Sequence, residues 1–193
     1  MHNNAQIGFH TDLINNGTFN TNQGLAGFYS DNEVRVVSGN NKAIFFNIEI
    51  DALNDLELQT SLGVTNEFSF INGKIITDKN NTNIALEYLN HNFYAGEDDD
   101  RFVDGYTAVL GSNEFTFPIG DDNRLRPMLI PSQAENTTFK GAYFYEDPNV
   151  PSTFSDSFLT DQKQVFIENI NENEFWDLNG TTETTVTLTW DIL

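Results

Sequence analysis

Oxygen-rich side chains crowd two short stretches of this chain, and together they could hold a hard cation. Asp98, Asp100 and Asp104 alternate along one acidic segment. Asp121, Asp122 and Asn123 form a second turn, directly after Phe115-Thr116-Phe117-Pro118-Ile119-Gly120. Calcium takes roughly six to eight oxygens, many from Asp and Asn, so a fold that joins the two stretches is expected to bind calcium between them. The competing expectation is a solvated acidic loop, with Arg101 and Arg124 neutralising part of its charge. Neither stretch has the spacing of an EF-hand loop, which needs a central glycine and a closing glutamate.

Aromatic residues offer a second chemistry. In Ala142-Tyr143-Phe144-Tyr145, a strand would put Tyr143 and Tyr145 on one face, where they could stack on sugar rings. Trp176, between Phe175 and Asp177, is a third candidate for ligand contact. Ordinary sheet packing would use the same residues. No catalytic residue is expected. His2, His10 and His91 are too scattered to ligate a metal together. Gly111-Ser112-Asn113 lacks the second glycine of a nucleophile elbow. The acidic segment could in principle supply the two carboxyls of a polysaccharide-cleaving enzyme, but about four or five coils make a short groove for an extended substrate.

These side chains must be carried by strands. Seventeen phenylalanines in 193 residues suit half-buried pleated surfaces. Apolar residues recur with period two in Glu33–Val37, Phe46–Ile50, Leu56–Leu58, Phe68–Phe70, Ile84–Leu86, Phe115–Phe117 and Val186–Trp190. In the last of these Val186, Leu188 and Trp190 are expected to face inward. Asp161–Glu174 fits a short helix or a strand equally well. Asn16-Gly17, Asn72-Gly73 and Asn179-Gly180 supply turns, since Asn and Gly tolerate positive φ.

Strand pairs near 26–50, 56–77 and 82–94 recur at about the length of one solenoid coil. Asn47, Asn54, Asn66, Asn72 and Asn83 flank them, as ladder-forming residues of a stack would. All five prolines lie after residue 117, the pattern of sandwich edges and loops. The expected fold class is therefore all-β: a β-solenoid-like stack over residues 1–95, an acidic junction over 96–106, and a β-sandwich-like domain over 107–193. A single larger β-sandwich is the alternative.

Charge narrows the partners. The net charge is −20, and residues 97–193 alone carry 19 acidic and 5 basic side chains. Nucleic acid needs a basic footprint, so it is excluded as a partner. No apolar run approaches a membrane span. With no cysteine, no disulfide framework is available. The polar N-terminus, Met1-His2-Asn3-Asn4-Ala5-Gln6, is not a signal peptide, and a secreted protein would have lost its signal already.

The order of several short motifs resembles a family. Asn15-Asn16-Gly17-Thr18-Phe19, Gly27-Phe28-Tyr29, Val37-Ser38-Gly39 and Phe46-Asn47-Ile48-Glu49-Ile50 come first. Leu62-Gly63-Val64-Thr65, Phe70-Ile71-Asn72-Gly73-Lys74-Ile75, Phe115-Thr116-Phe117-Pro118-Ile119-Gly120-Asp121 and Arg126-Pro127 follow. Glu174-Phe175-Trp176-Asp177-Leu178 and Val186-Thr187-Leu188-Thr189-Trp190-Asp191 close the series. Together they resemble Bacteroidetes cell-surface proteins exported by type IX secretion, which carry a gliding-motility-type C-terminal sorting domain. The resemblance implies a secreted or outer-membrane-surface location and an N-terminal piece of a longer protein, and it supplies no catalytic residues. The expected function is a non-catalytic extracellular module for adhesion or substrate capture. A carbohydrate-binding module and a polysaccharide-active enzyme are the alternatives.

Overall fold

In the computed structural model, which describes residues 2–21, 23–90 and 93–190, the alternating segments become strands that stack in parallel. The first coil holds β1 (His2–Asn3), β2 (Gln6–Phe9) and β3 (Leu13–Ile14). The second holds β4 (Asn20–Thr21), β5 (Leu25–Ser30) and β6 (Arg35–Ser38). The third is β7 (Ala43–Ala52) with β8 (Leu56–Leu58), and the fourth is β9 (Leu62–Asn72) with β10 (Ile75–Thr77). The fifth runs through β11 (Leu86–Leu89), β12 (Phe93–Ala95) and β13 (Val103–Asp104). The sixth runs through β14 (Thr107–Gly111), β15 (Phe115–Phe117) and β16 (Ile119–Asp121).

From there the chain turns antiparallel. The remaining strands are β17 (Arg124–Leu125), β18 (Met128–Ile130), β19 (Thr137–Phe144), β20 (Phe175–Gly180) and β21 (Thr187–Leu188). No helix occurs among the described residues, so none is long and apolar enough to cross a membrane.

Two long sheets face each other. One runs β2-β5-β7-β9-β11-β14-β19-β20, with β12 also paired to β9; the other runs β17-β16-β13-β10-β8-β6-β3. Like side chains stack between them. Ile7, Ala26, Ile48, Phe68 and Tyr94 lie in register on five successive strands of the first sheet, and Leu56, Ile75, Val103 and Ile119 on four strands of the second. Phe28, Phe45, Phe68, Tyr88 and Phe117 are almost wholly buried in this core. The expected asparagine rungs occur at Asn66, whose side-chain amide donates to Asn47 Oδ1 at 2.8 Å, and at Asn72, which donates to Asp51 Oδ1 at 2.7 Å.

Three features differ from the sequence expectation. The stack does not stop at residue 95. Residues 96–102 form the corner of the fifth coil, and on its far side β13 pairs in parallel with β10 (Ile75↔Val103) and β16 (Val103↔Ile119). Gly96 makes this corner feasible: its φ is +90°, and a Cβ there would lie 2.1 Å from the Phe70 carbonyl oxygen. Asp161–Glu174 forms neither a helix nor a strand, and it leaves Val165 and Phe166 in solvent. Of Val186–Trp190 only Thr187–Leu188 is paired, on one side, to β18, so Val186 and Trp190 stay exposed.

Candidate functional site

The acidic residues separate into three places. Asp104 and Asp121 do converge, because β10, β13 and β16 are neighbours in one sheet. What lies between them is an ammonium. Lys79 follows β10 by two residues, and its Nζ is 2.7 Å from Asp104 Oδ1 and 2.7 Å from Asp121 Oδ2. Lys79 is buried, and its Nζ also lies 5.4 Å from the centre of the Phe144 ring. Burial pushes the Asp104 carboxyl above the usual carboxylate range, against the lowering pull of Lys79. Asp121 is held further by backbone N–H donors, from Tyr145 to Oδ2 at 2.9 Å and from Asp122 to Oδ1 at 2.7 Å.

Asp98 and Asp100 lie elsewhere. They line a hollow of about 490 Å³ with Asp55, Asn72, Lys74 and Arg101. Arg101 bonds the Asp98 side chain, and this bond holds its carboxyl below the usual range. Asp122 and Asn123 form a third cluster, where the Lys74 ammonium donates to the Asp122 carbonyl and to Asn123 Oδ1 at 3.3 Å.

Among the described residues no group of three or more His, Asp or Glu side chains is disposed to hold a metal ion. A calcium ion at Asp104 and Asp121 would have to displace Lys79, and one at Asp98 would have to displace Arg101. The expected result is therefore superimposable melting curves in millimolar calcium and in chelator. A calcium-dependent rise in melting temperature, lost in Asp98→Asn, would overturn this. Of the histidines, His10 stacks on Tyr29 with ring centroids 5.1 Å apart. His91 lies outside the described residues.

The aromatic candidates do meet, in roles other than those expected. Tyr143 is buried, so it offers no sugar platform; its hydroxyl donates to Glu174 Oε2, and burial raises its pKa. Tyr145 is 42% exposed, but the Arg124 guanidinium lies 3.8 Å from its ring centre and covers one face. Trp176 is half-buried, 5.0 Å from the Tyr143 ring, and its indole N–H donates to the Arg126 carbonyl at 3.3 Å. Beyond it stands Trp190, ring centroids 4.7 Å apart and 55% exposed. Buried Tyr143 and half-buried Trp176 thus form the base on which Trp190 is propped.

Trp190, Tyr145, Arg124 and Arg126 line a cleft of about 510 Å³ together with Asn171, Asn173 and Glu174. Four separate segments build it. The β16–β17 hairpin, turned by Asp122 at φ +57°, projects Arg124. Tyr145 leaves the end of β19, Asn171–Glu174 lead into β20, and Trp190 follows β21. Glu174 is tied down from several sides: Asn171 Nδ2 donates to Oε1 at 3.1 Å, Tyr143 to Oε2, and Arg126 Nε stands 3.6 Å from Oε2. A carboxylate so held is a fixed acceptor. Trp190, the arginines and the 171–174 residues were not among the expected ligand contacts. Their convergence depends on four distant segments, and no local spacing announces it. No family model, curated protein or solved structure matches this chain.

Proposed function

We propose that this protein is a non-catalytic extracellular module that captures glycan-bearing substrates or surfaces through the cleft beside Trp190. The cleft is the observation that carries the reading. It is concave, of ligand size, and combines an exposed indole with fixed planar polar groups. An indole face suits the apolar C–H face of a sugar ring, while Asn171, Asn173 and Glu174 offer donors and acceptors for its hydroxyls. Strong acidity suits a solvated surface exposed outside a cell, and the order of the family-like motifs supports a bacterial cell-surface location.

The enzyme alternative has less to draw on. Asp104 and Asp121, the carboxylates that converge on neighbouring strands, both engage Lys79. Glu174, the carboxylate lining the cleft, is already bound on both oxygens.

Trp190→Ala is expected to weaken binding across a panel of immobilised polysaccharides by about tenfold or more, the effect of removing a central aromatic contact. Its exposure predicts an unchanged melting temperature. A parent protein that binds none of the panel, or a Trp190→Ala variant that binds as tightly as the parent, would sink the reading.

A further inference from the structure

We infer that the cleft prefers acidic glycans, and that Arg124 is the contact for the carboxylate of a uronic-acid residue; this rests on the glycan-capture reading above. The chain has only four arginines in a protein of net charge −20, and two of them, Arg124 and Arg126, line this one cleft. Half of the chain's scarce guanidiniums are thus concentrated at one cleft.

The two guanidiniums are not equivalent. Arg126 is buried, Nη1 donates to the Leu125 carbonyl at 3.0 Å, and Nε faces Glu174. It belongs to the floor. Arg124 belongs to the rim. Its guanidinium lies 3.8 Å from the Tyr145 ring centre, so the fork is held flat before any ligand arrives. Its contact with the Asp122 side chain is made by one nitrogen, Nη1, at 3.4 Å, which is long for a charge-assisted bond. A ligand carboxylate matches the guanidinium fork in a bidentate geometry that this Asp122 contact does not reach.

The overall negative charge does not cancel this preference. Exposed charges more than about 8 Å away are screened at physiological salt. Of the carboxylates near the guanidiniums, Asp122 reaches Arg124 only through that one long contact, and Glu174 is compensated by Arg126 and by the Tyr143 hydroxyl. Asn171 and Asn173, which line the same cleft, are available to the hydroxyls of a pyranose bound there.

The test uses one backbone with and without charge. Binding of the chain to polygalacturonate, to fully methyl-esterified polygalacturonate and to a neutral glucan is measured by titration calorimetry in chelator, with a sulfated glycan as a fourth ligand. The expected result is at least tenfold tighter binding of polygalacturonate than of its ester, weakened by added salt. Arg124→Gln removes that gap, and Arg124→Lys, which keeps the charge but not the fork, restores it only in part. Equal affinity for the acid and the ester, a gap unchanged in Arg124→Gln, or tightest binding of the sulfated glycan overturns the inference. If the acid and ester bind equally and both are lost in Trp190→Ala, the capture reading survives without it. If no glycan binds, both fail.

Discussion

Lys79→Met is expected to destabilise the protein by about 3–5 kcal/mol at neutral pH, the cost of removing one partner from a buried charge cluster. The substitution keeps most of the side-chain volume, so the loss is electrostatic. Asp104 and Asp121 would be left facing each other with their common partner gone. The sheet cannot easily spread to relieve them, because β13 and β16 carry them on neighbouring, hydrogen-bonded strands. The pH dependence identifies the cause. Asp104 already titrates above its ordinary value because of burial, and Lys79 is the principal influence pulling it down. Without Lys79 its pKa rises further. A carboxyl with a raised folded pKa favours the folded state most below its unfolded pKa of about 3.9, and that contribution is lost as pH rises through the folded value. The deficit of the variant should therefore shrink as pH falls from neutral toward the raised pKa of Asp104. Asp98 and Glu146 behave oppositely. Hydrogen bonds from Arg101, and from Ser152 and Thr153, lower them. Their contributions are present above the unfolded pKa and are lost in acid. They act in parent and variant alike, so the difference between the two isolates the cluster around Lys79. Urea denaturation of both proteins across acid and neutral pH measures it. A deficit under about 1 kcal/mol, or one that grows in acid, would mean that Lys79 is not the counter-ion of a buried pair.

Lys79 also shows where local pattern stops being informative. Thr77-Asp78-Lys79-Asn80 has the composition of a surface turn, and Asn81 N–H does bond the Asp78 carbonyl at 2.9 Å as a turn requires. What makes Lys79 special is the arrival of Asp104 and Asp121, 25 and 42 residues later, on adjacent strands. The acidic segment poses the same difficulty. A coil corner and an inter-domain linker both need polar, turn-forming residues, so Gly96–Arg101 reads equally as either. Only the pairing of Val103 with Ile75 places it within a coil.

Alternation, by contrast, was readable in several strands that have neighbours on both sides, though not in Glu33–Val37, where Val34 is exposed and Val37 is the buried residue. Phe68-Ser69-Phe70 and Leu56-Glu57-Leu58 bury their apolar residues as their spacing predicts. The same spacing misleads at Val186–Trp190, because a strand paired on one side at the edge of three strands has too little cover for all its apolar positions. The exposed indole that results is the residue on which the candidate site turns. Sequence periodicity reports which side chains share a face; whether that face is covered depends on what folds over it.

Phe68→Ala tests how the stack distributes its stability. Phe68 is fully buried in the fourth coil, its ring 4.7 Å from Phe70 and 6.3 Å from Tyr88. Its strand lies between Ile48 of the coil before and Tyr94 of the coil after. Truncation is expected to cost about 3–5 kcal/mol, from lost burial and from a cavity that the flanking strands cannot fill without breaking register. The distribution of that loss should be uneven. A stack is held by contacts between nearest neighbours, so weakening one coil uncouples those on either side of it. The C-terminal side is backed by the antiparallel strands β19 and β20, while the N-terminal side ends on the four-residue β2 and the two-residue β3. In Phe68→Ala, amides of β5 and β7 should therefore exchange with solvent well before those of β14 and β19. Hydrogen exchange read by mass spectrometry, beside a urea melt, decides the point. Protection lost equally at both ends would mean that the coils and the antiparallel cap unfold as one cooperative unit, and that the cleft beside Trp190 is only as stable as the stack beneath it.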